Sequence, residues 1–149
     1  MKRWPVWILL LGMAGAIAPP PSAQAVPSSQ LAISVDGLRN QNGQVCFSLF
    51  SQSRGFPSGG QAIQADCVDL GEGSPSILFQ DLHPGSYAVA VFHDVNRDRQ
   101  LNQTIFGIPT EGFGFSRNPR LMAGPPSFGD AAIVVAGTQN IQIQLRYLR

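Results

Sequence analysis

The sequence predicts an all-β protein: seven to eight short strands in a single antiparallel β-sandwich or small barrel, with one long irregular loop. Three observations carry this. Apolar and polar residues alternate with period two in short runs, most cleanly over 31–36 and 141–147. Glycine, proline and asparagine punctuate the chain between those runs. After residue 25, no stretch keeps a 3.6-residue period over ten positions, so no long helix is expected.

Residues 1–25 read as a secretory signal peptide. Lys2 and Arg3 give a positive start, an apolar run covers 4–18, and Ala23-Gln24-Ala25 puts small residues where a signal peptidase cuts. The run is about 15 residues, short of the roughly 20 that a membrane-spanning helix needs. Cleavage after Ala25 leaves one domain, 26–149, in a secreted or periplasmic setting. Lys2 and Arg3 leave with the leader, so eight arginines face nine carboxylates, a formal charge of 8 − 9 = −1. The arginines are scattered and form no basic stripe. That predicts no nucleic-acid partner and argues against electrostatic attraction to anionic lipid. A protein or glycan partner at the cell surface is the expectation for a binding role.

The first strand follows a polar lead-in, with Leu31, Ile33 and Val35 on one face. Asn42-Gly43 is a two-residue hairpin signal, since both residues tolerate positive φ. Residues 44–50 are read as the returning strand, with Val45, Phe47 and Leu49 on one face and Cys46 on the other. Cys46 and Cys67 are the only cysteines, and in an oxidising compartment they are expected to pair. Residues 51–61 are a loop, 62–70 a weaker strand and 76–82 a better one. His83-Pro84-Gly85 reads as a type II turn with Gly85 at positive φ. Residues 86–93 are apolar on both faces, which marks a central strand. Residues 94–103 form a polar loop and 104–126 an irregular one. Strands over 131–136 and 141–147 complete the chain.

The segment Phe79-x-Asp81-Leu82-x-Pro84-Gly85-x-Tyr87 resembles the corner of transthyretin-like and carboxypeptidase-regulatory-like sandwiches, and that resemblance implies a single antiparallel β-sandwich of immunoglobulin or prealbumin type. A wider resemblance runs through Gly37-Leu38-Arg39-Asn40, Gly55-Phe56-Pro57, residues 84–94, Phe106-Gly107-Ile108-Pro109, Gly112-Phe113-Gly114-Phe115-Ser116 and Gly124-Pro125-Pro126-Ser127-Phe128. These motifs are similar to those of the exported bacterial family catalogued as domain of unknown function 2141. The resemblance implies bacterial export and a β-rich fold, and no activity.

The richest constellation is Asp94, Asn96, Asp98, Gln100 and Asn102, oxygen-bearing residues at alternate positions. Such spacing curls oxygens around a point, as calcium requires. Arg99 stands where the sharp turn prefers glycine, and Ile105 where a bidentate glutamate belongs, so Glu111 would have to complete the shell. The competing reading is a solvated turn held by its own hydrogen bonds. A metal-dependent hydrolase would use His93, Asp94 and Glu111, and its test is whether the three converge. The other histidine, His83, precedes the turn and is expected to be exposed. No Gly-x-Ser-x-Gly elbow or phosphate loop occurs, so a non-catalytic structural or binding module is expected. An adhesion or assembly role would expose Phe113, Phe115 and Phe128 beside Arg117. The alternative folds those rings over a sheet.

Overall fold

The computed structural model describes residues 28–58 and 60–148. The proposed signal peptide, 1–25, lies outside the described residues. Eight strands and one helical turn follow in the order β1 Ser29–Asp36, β2 Gln44–Phe50, β3 Gln64–Asp69, β4 Ser76–Leu82, β5 Gly85–Asp94, β6 Phe113–Phe115, α1 Phe128–Ala131, β7 Ile133–Val135 and β8 Thr138–Gln144. They form two sheets. One has the order β4-β1-β8, and the other β3-β2-β5-β6, with β7 pairing the first residues of β5.

The period-two alternation decides what each face meets. Leu31, Ile33 and Val35 of β1 point inward to Val45, Phe47 and Leu49 of β2, and to Tyr87, Val89 and Val91 of β5. Phe79, Leu82, Val135, Ile143 and Leu145 complete this inter-sheet core. Residues 86–93 are central as expected, since β5 has β2 on one side and β6 and β7 on the other. A second apolar cluster lies on the outer face of that sheet. There Ala88, Phe113, Phe115 and Ala131 gather Phe56, Phe92, Leu101, Leu121 and Phe128. The outer face needs this cover because β5 is apolar on both sides.

Two expectations are corrected. Asn42-Gly43 closes no hairpin: β1 and β2 lie in different sheets, and residues 37–43 carry the chain between them. Gly43 does hold φ 80°, but for a different reason. A Cβ there would lie 2.1 Å from the Asp94 carbonyl oxygen, so the bare backbone permits close approach to the end of β5. Gly85 does not take the left-handed conformation of a type II turn. It already belongs to β5 and pairs with Val135. The expected antiparallel β-sandwich is found, with one parallel pair, β8 beside β1.

The turn segment owes its shape to other groups. Asp81, at φ 56°, marks a slip in the β1–β4 register, where Ser29 faces Leu82 but Leu31 faces Phe79. The Tyr87 hydroxyl donates to the His83 carbonyl at 2.6 Å and ties β5 back to the turn before it.

Cys46 and Cys67 are register partners on β2 and β3 and form a disulfide across a separation of 21 residues. The two sheets meet at one corner. Beyond β8, Arg146 exchanges backbone hydrogen bonds with Phe113 of β6, at 2.8 and 2.9 Å. Gly114 makes this junction, because a Cβ on it would lie 2.7 Å from Ile143 Cγ2 and 2.9 Å from the Gln144 carbonyl oxygen. Gly114→Ala is therefore expected to lower unfolding free energy by about 2 kcal/mol through overpacking, as read in urea denaturation. An unchanged midpoint would show that the corner yields freely.

Candidate functional site

The outgoing end of β5 carries the chemistry singled out in the sequence. Strand geometry points successive side chains to opposite faces, and His93 and Asp94 obey it. Both are fully buried, His93 on the inner face with Tyr87, Val89 and Val91, and Asp94 on the outer face with Phe92.

His93 is spanned by two oxygens. Its Nε2 lies 2.7 Å from the Asn42 carbonyl, which only accepts, so Nε2 carries a hydrogen. Its Nδ1 lies 2.8 Å from the Tyr147 hydroxyl. That hydroxyl also accepts the Arg39 backbone N–H at 3.2 Å, while the Arg39 guanidinium sits 4.2 Å over the ring. Burial pushes the Tyr147 phenol above its ordinary value of 10.0, against the opposing pull of Arg39. Gly112 leaves room for this ring, since a Cβ there would lie 2.4 Å from Tyr147 Cζ.

Asp94 closes the following loop. Its Oδ1 accepts from the Asp98 N–H at 3.1 Å. Its Oδ2 accepts from Gln44 Nε2 at 2.7 Å and the Arg99 N–H at 2.8 Å. The Cys46 sulfur lies 3.9 Å from the same oxygen. Arg97 and Arg99 take positive φ, 63° and 61°, and this sharp path aims the loop amides back at Asp94. Glu111, 8% exposed, holds the two ends of the loop: Oε1 accepts from the Val95 N–H and Oε2 from the Asn102 N–H, both at 3.0 Å. Asp98 completes the frame. It accepts from the Gln100 N–H at 2.9 Å and from the side-chain amides of Asn96 and Asn102 at 3.0 Å. The Asn102 bond, then that of Gln100, holds the exposed Asp98 carboxyl below its ordinary 3.8.

Asp94, Asn96, Asp98 and Asn102 do come together, but onto one another. Calcium takes six to eight oxygens, and here N–H donors point at both oxygens of Asp94, Asp98 and Glu111. Gln100 contributes its backbone N–H, and its side chain is exposed. Among the described residues, no group of three or more His, Cys, Asp or Glu side chains is arranged to hold a metal ion. His93, Asp94 and Glu111 do not converge either, since His93 and Asp94 occupy opposite faces of β5. His83 is exposed and serves through its carbonyl.

The phenylalanine-rich segment folds over the sheet. Phe113 and Phe115 are 6% and 8% exposed. Phe-Gly-Phe has strand parity, which places both rings on the outer face beside Phe92 and Ala90. Phe128 packs edge-on against Phe56, with ring centroids 6.0 Å apart, and opens α1 behind the Ser127–Asp130 capping box. Arg117 is exposed at φ 64°. The exposed apolar residues of this region are others: Met122, 93% exposed on the later loop, and three that lie together. Ile105 is 95% exposed, Phe106 83% and Ile108 44%. They sit on a small hairpin at whose base Gln103 bridges Pro109. Four of its amides have internal acceptors. Thr104 donates to the Ile108 carbonyl at 2.8 Å and Gly107 to the Thr104 carbonyl at 2.9 Å. Phe106 and Ile108 donate to Thr104 Oγ1 at 3.3 and 3.2 Å.

These features define a β-sandwich with a carboxylate-closed loop at one end, crowned by an apolar tip. A family model described as "Uncharacterized protein conserved in bacteria (DUF2141)" matches residues 33–144, and the chain belongs to that family. No curated protein and no solved structure matches the chain.

The closed loop is expected to form without metal. Millimolar calcium should leave the thermal midpoint unchanged, whereas Asp94→Ala should lower unfolding free energy by about 3 kcal/mol, because three donors lose their acceptor. A calcium-dependent rise that disappears in Asp94→Ala would overturn this. Acid should also release the Asp98 bonds. Its value is depressed on folding, so its contribution is complete above 3.8 and fades as pH falls through the lower folded value. The carboxyl carbon of Asp98, followed by NMR, should titrate with a midpoint below 3.8. A midpoint at or above that value would mean that the Asn102 and Gln100 bonds do not persist in solution.

Proposed function

We propose that this chain is an exported, non-catalytic binding module whose contact element is the apolar tip at residues 105–108. One observation carries the reading: two large apolar side chains, Ile105 and Phe106, stand almost fully exposed on a hairpin with internal hydrogen bonds. Burying them in a partner would gain about 1.5–3 kcal/mol each. The carboxylates beneath the hairpin order it in advance, so little conformational entropy is lost on contact. Export agrees with the leader-like N-terminus and with the disulfide, which belongs to an oxidising compartment. A non-catalytic role agrees with the engagement of His93, Asp94 and Glu111 in structural hydrogen bonds. Among the described residues, no helix is long and apolar enough to cross a membrane.

A photo-crosslinking amino acid at position 106, compared with one at Leu78 on β4, tests this in the producing cell. Leu78 is 46% exposed and isolated on its strand, which makes it a matched surface control. Adducts, to protein or to lipid, at 106 and not at 78 are the expected result. Equal yields, or none at either position, would remove the tip as contact element.

A further inference from the structure

We propose that the surface met by this tip is the interface of a lipid bilayer, with Ile105, Phe106 and Ile108 seated among the acyl chains just below the headgroups. The proposal rests on the reading of the tip as the contact element and names what it contacts.

Three observations favour lipid over a protein groove. The first is charge. Residues 103–110 carry none, and the whole end loop, 95–112, balances Arg97 and Arg99 against Asp98 and Glu111. An element built to meet a polar protein rim would carry directional groups beside its anchors. The second is the backbone. An apolar medium penalises an N–H that lacks an acceptor, so a loop dips into the interface at lower cost when its own atoms supply acceptors. Thr104 does most of this here: its carbonyl and hydroxyl take the amides of Gly107, Phe106 and Ile108, and its own amide reaches the Ile108 carbonyl, which leaves the Ile105 amide for the headgroup layer and its water. Recognition by strand pairing would instead leave such amides open for the partner. The third is residue order. Ile105, Phe106 and Ile108 crowd the apex, while Gln103 and Thr110 occupy the flanks, at headgroup depth for a shallowly inserted hairpin. Insertion 5–10 Å deep, the range of interfacial elements, suits a hairpin of this size.

Because the end loop has no net charge, this contact is apolar and independent of lipid charge, unlike the docking of a basic patch. Whole-chain charge therefore says little about it.

The chain from residue 26 onward contains every strand described above and no tryptophan, so Phe106→Trp introduces a single reporter. The oxidised variant is titrated with phosphatidylcholine vesicles, then with vesicles containing phosphatidylglycerol, at low and high salt. The expected result is a blue shift, protection from aqueous quencher and quenching by lipids brominated near the headgroup, alike for both lipids and both salts. Unsubstituted protein should sediment with vesicles, and Ile105→Ser/Phe106→Ser, folded by circular dichroism, should lose at least tenfold of that binding. A Leu78→Trp reporter should stay unshifted. No shift at position 106 would overturn the lipid assignment, as would binding that needs anionic lipid and vanishes in salt. If position 106 crosslinks to a protein in cells while vesicles leave the tryptophan unshifted, the tip remains the contact element and only the lipid falls. If neither occurs, both readings fall.

Discussion

The Asp94 carboxylate, fully buried at the last residue of the central strand, accepts hydrogen bonds from Gln44 of β2 and from the amides of Asp98 and Arg99. A carboxyl group is costly to take out of water unless donors replace its hydration. Here the replacement comes partly from the strand beside it and partly from the loop that follows. The loop is thereby bound to the sheet, and Glu111 repeats the device by gripping the Val95 and Asn102 amides. Between them they turn a polar segment, with two non-glycine residues at positive φ, into an ordered platform. The Cys46–Cys67 disulfide lies against the same oxygen, so the covalent clamp between β2 and β3 and the polar clamp at the end of β5 support one another.

The two faces of β5 divide the labour. The inner face joins the sandwich core and ends in His93, held by Asn42 and Tyr147. The outer face is closed by the phenylalanines of the long loop and ends in Asp94. One strand thus feeds two apolar clusters and terminates in two polar anchors. Gly43 and Gly112 let neighbouring segments approach those anchors more closely than a side chain would allow.

Much of this was legible in the residues. Period-two alternation located the core faces of β1, β2 and β8, and double-sided apolarity marked β5 as central. The oxidising compartment expected from the leader-like N-terminus predicted the disulfide. Sheet assignment was not legible, because Asn42-Gly43 signals local positive φ and says nothing about whether the flanking strands are partners or lie in opposite sheets. The oxygen-rich spacing at 94–102 identified the residues that meet but not what they meet. Asx-type bonds to the backbone and cation ligation draw on the same side chains, and only the direction of the amides separates them. Gln44 and Tyr147 carry no signal of their own, since their roles arise from strand neighbours far along the chain. Phe113 and Phe115 could have been placed from the parity of Phe-Gly-Phe. Phe106, between Ile105 and a glycine at a tight turn, has no such parity and is the ring that stays outside.

The parallel pairing of β1 with β8 has a geometric corollary. Ser29 begins β1 at the end of the sandwich where β8 starts, whereas Asp36 and Gln144 finish together at the other end. Eight residues of extended strand, about 25 Å at 3.3 Å each, separate the two ends. The chain therefore enters the fold on the side remote from Asp94 and leaves it beside Tyr147 and His93. Cargo joined before β1 would be held well away from the tip, whereas a group inserted next to Tyr147 would crowd the ring that His93 leans on.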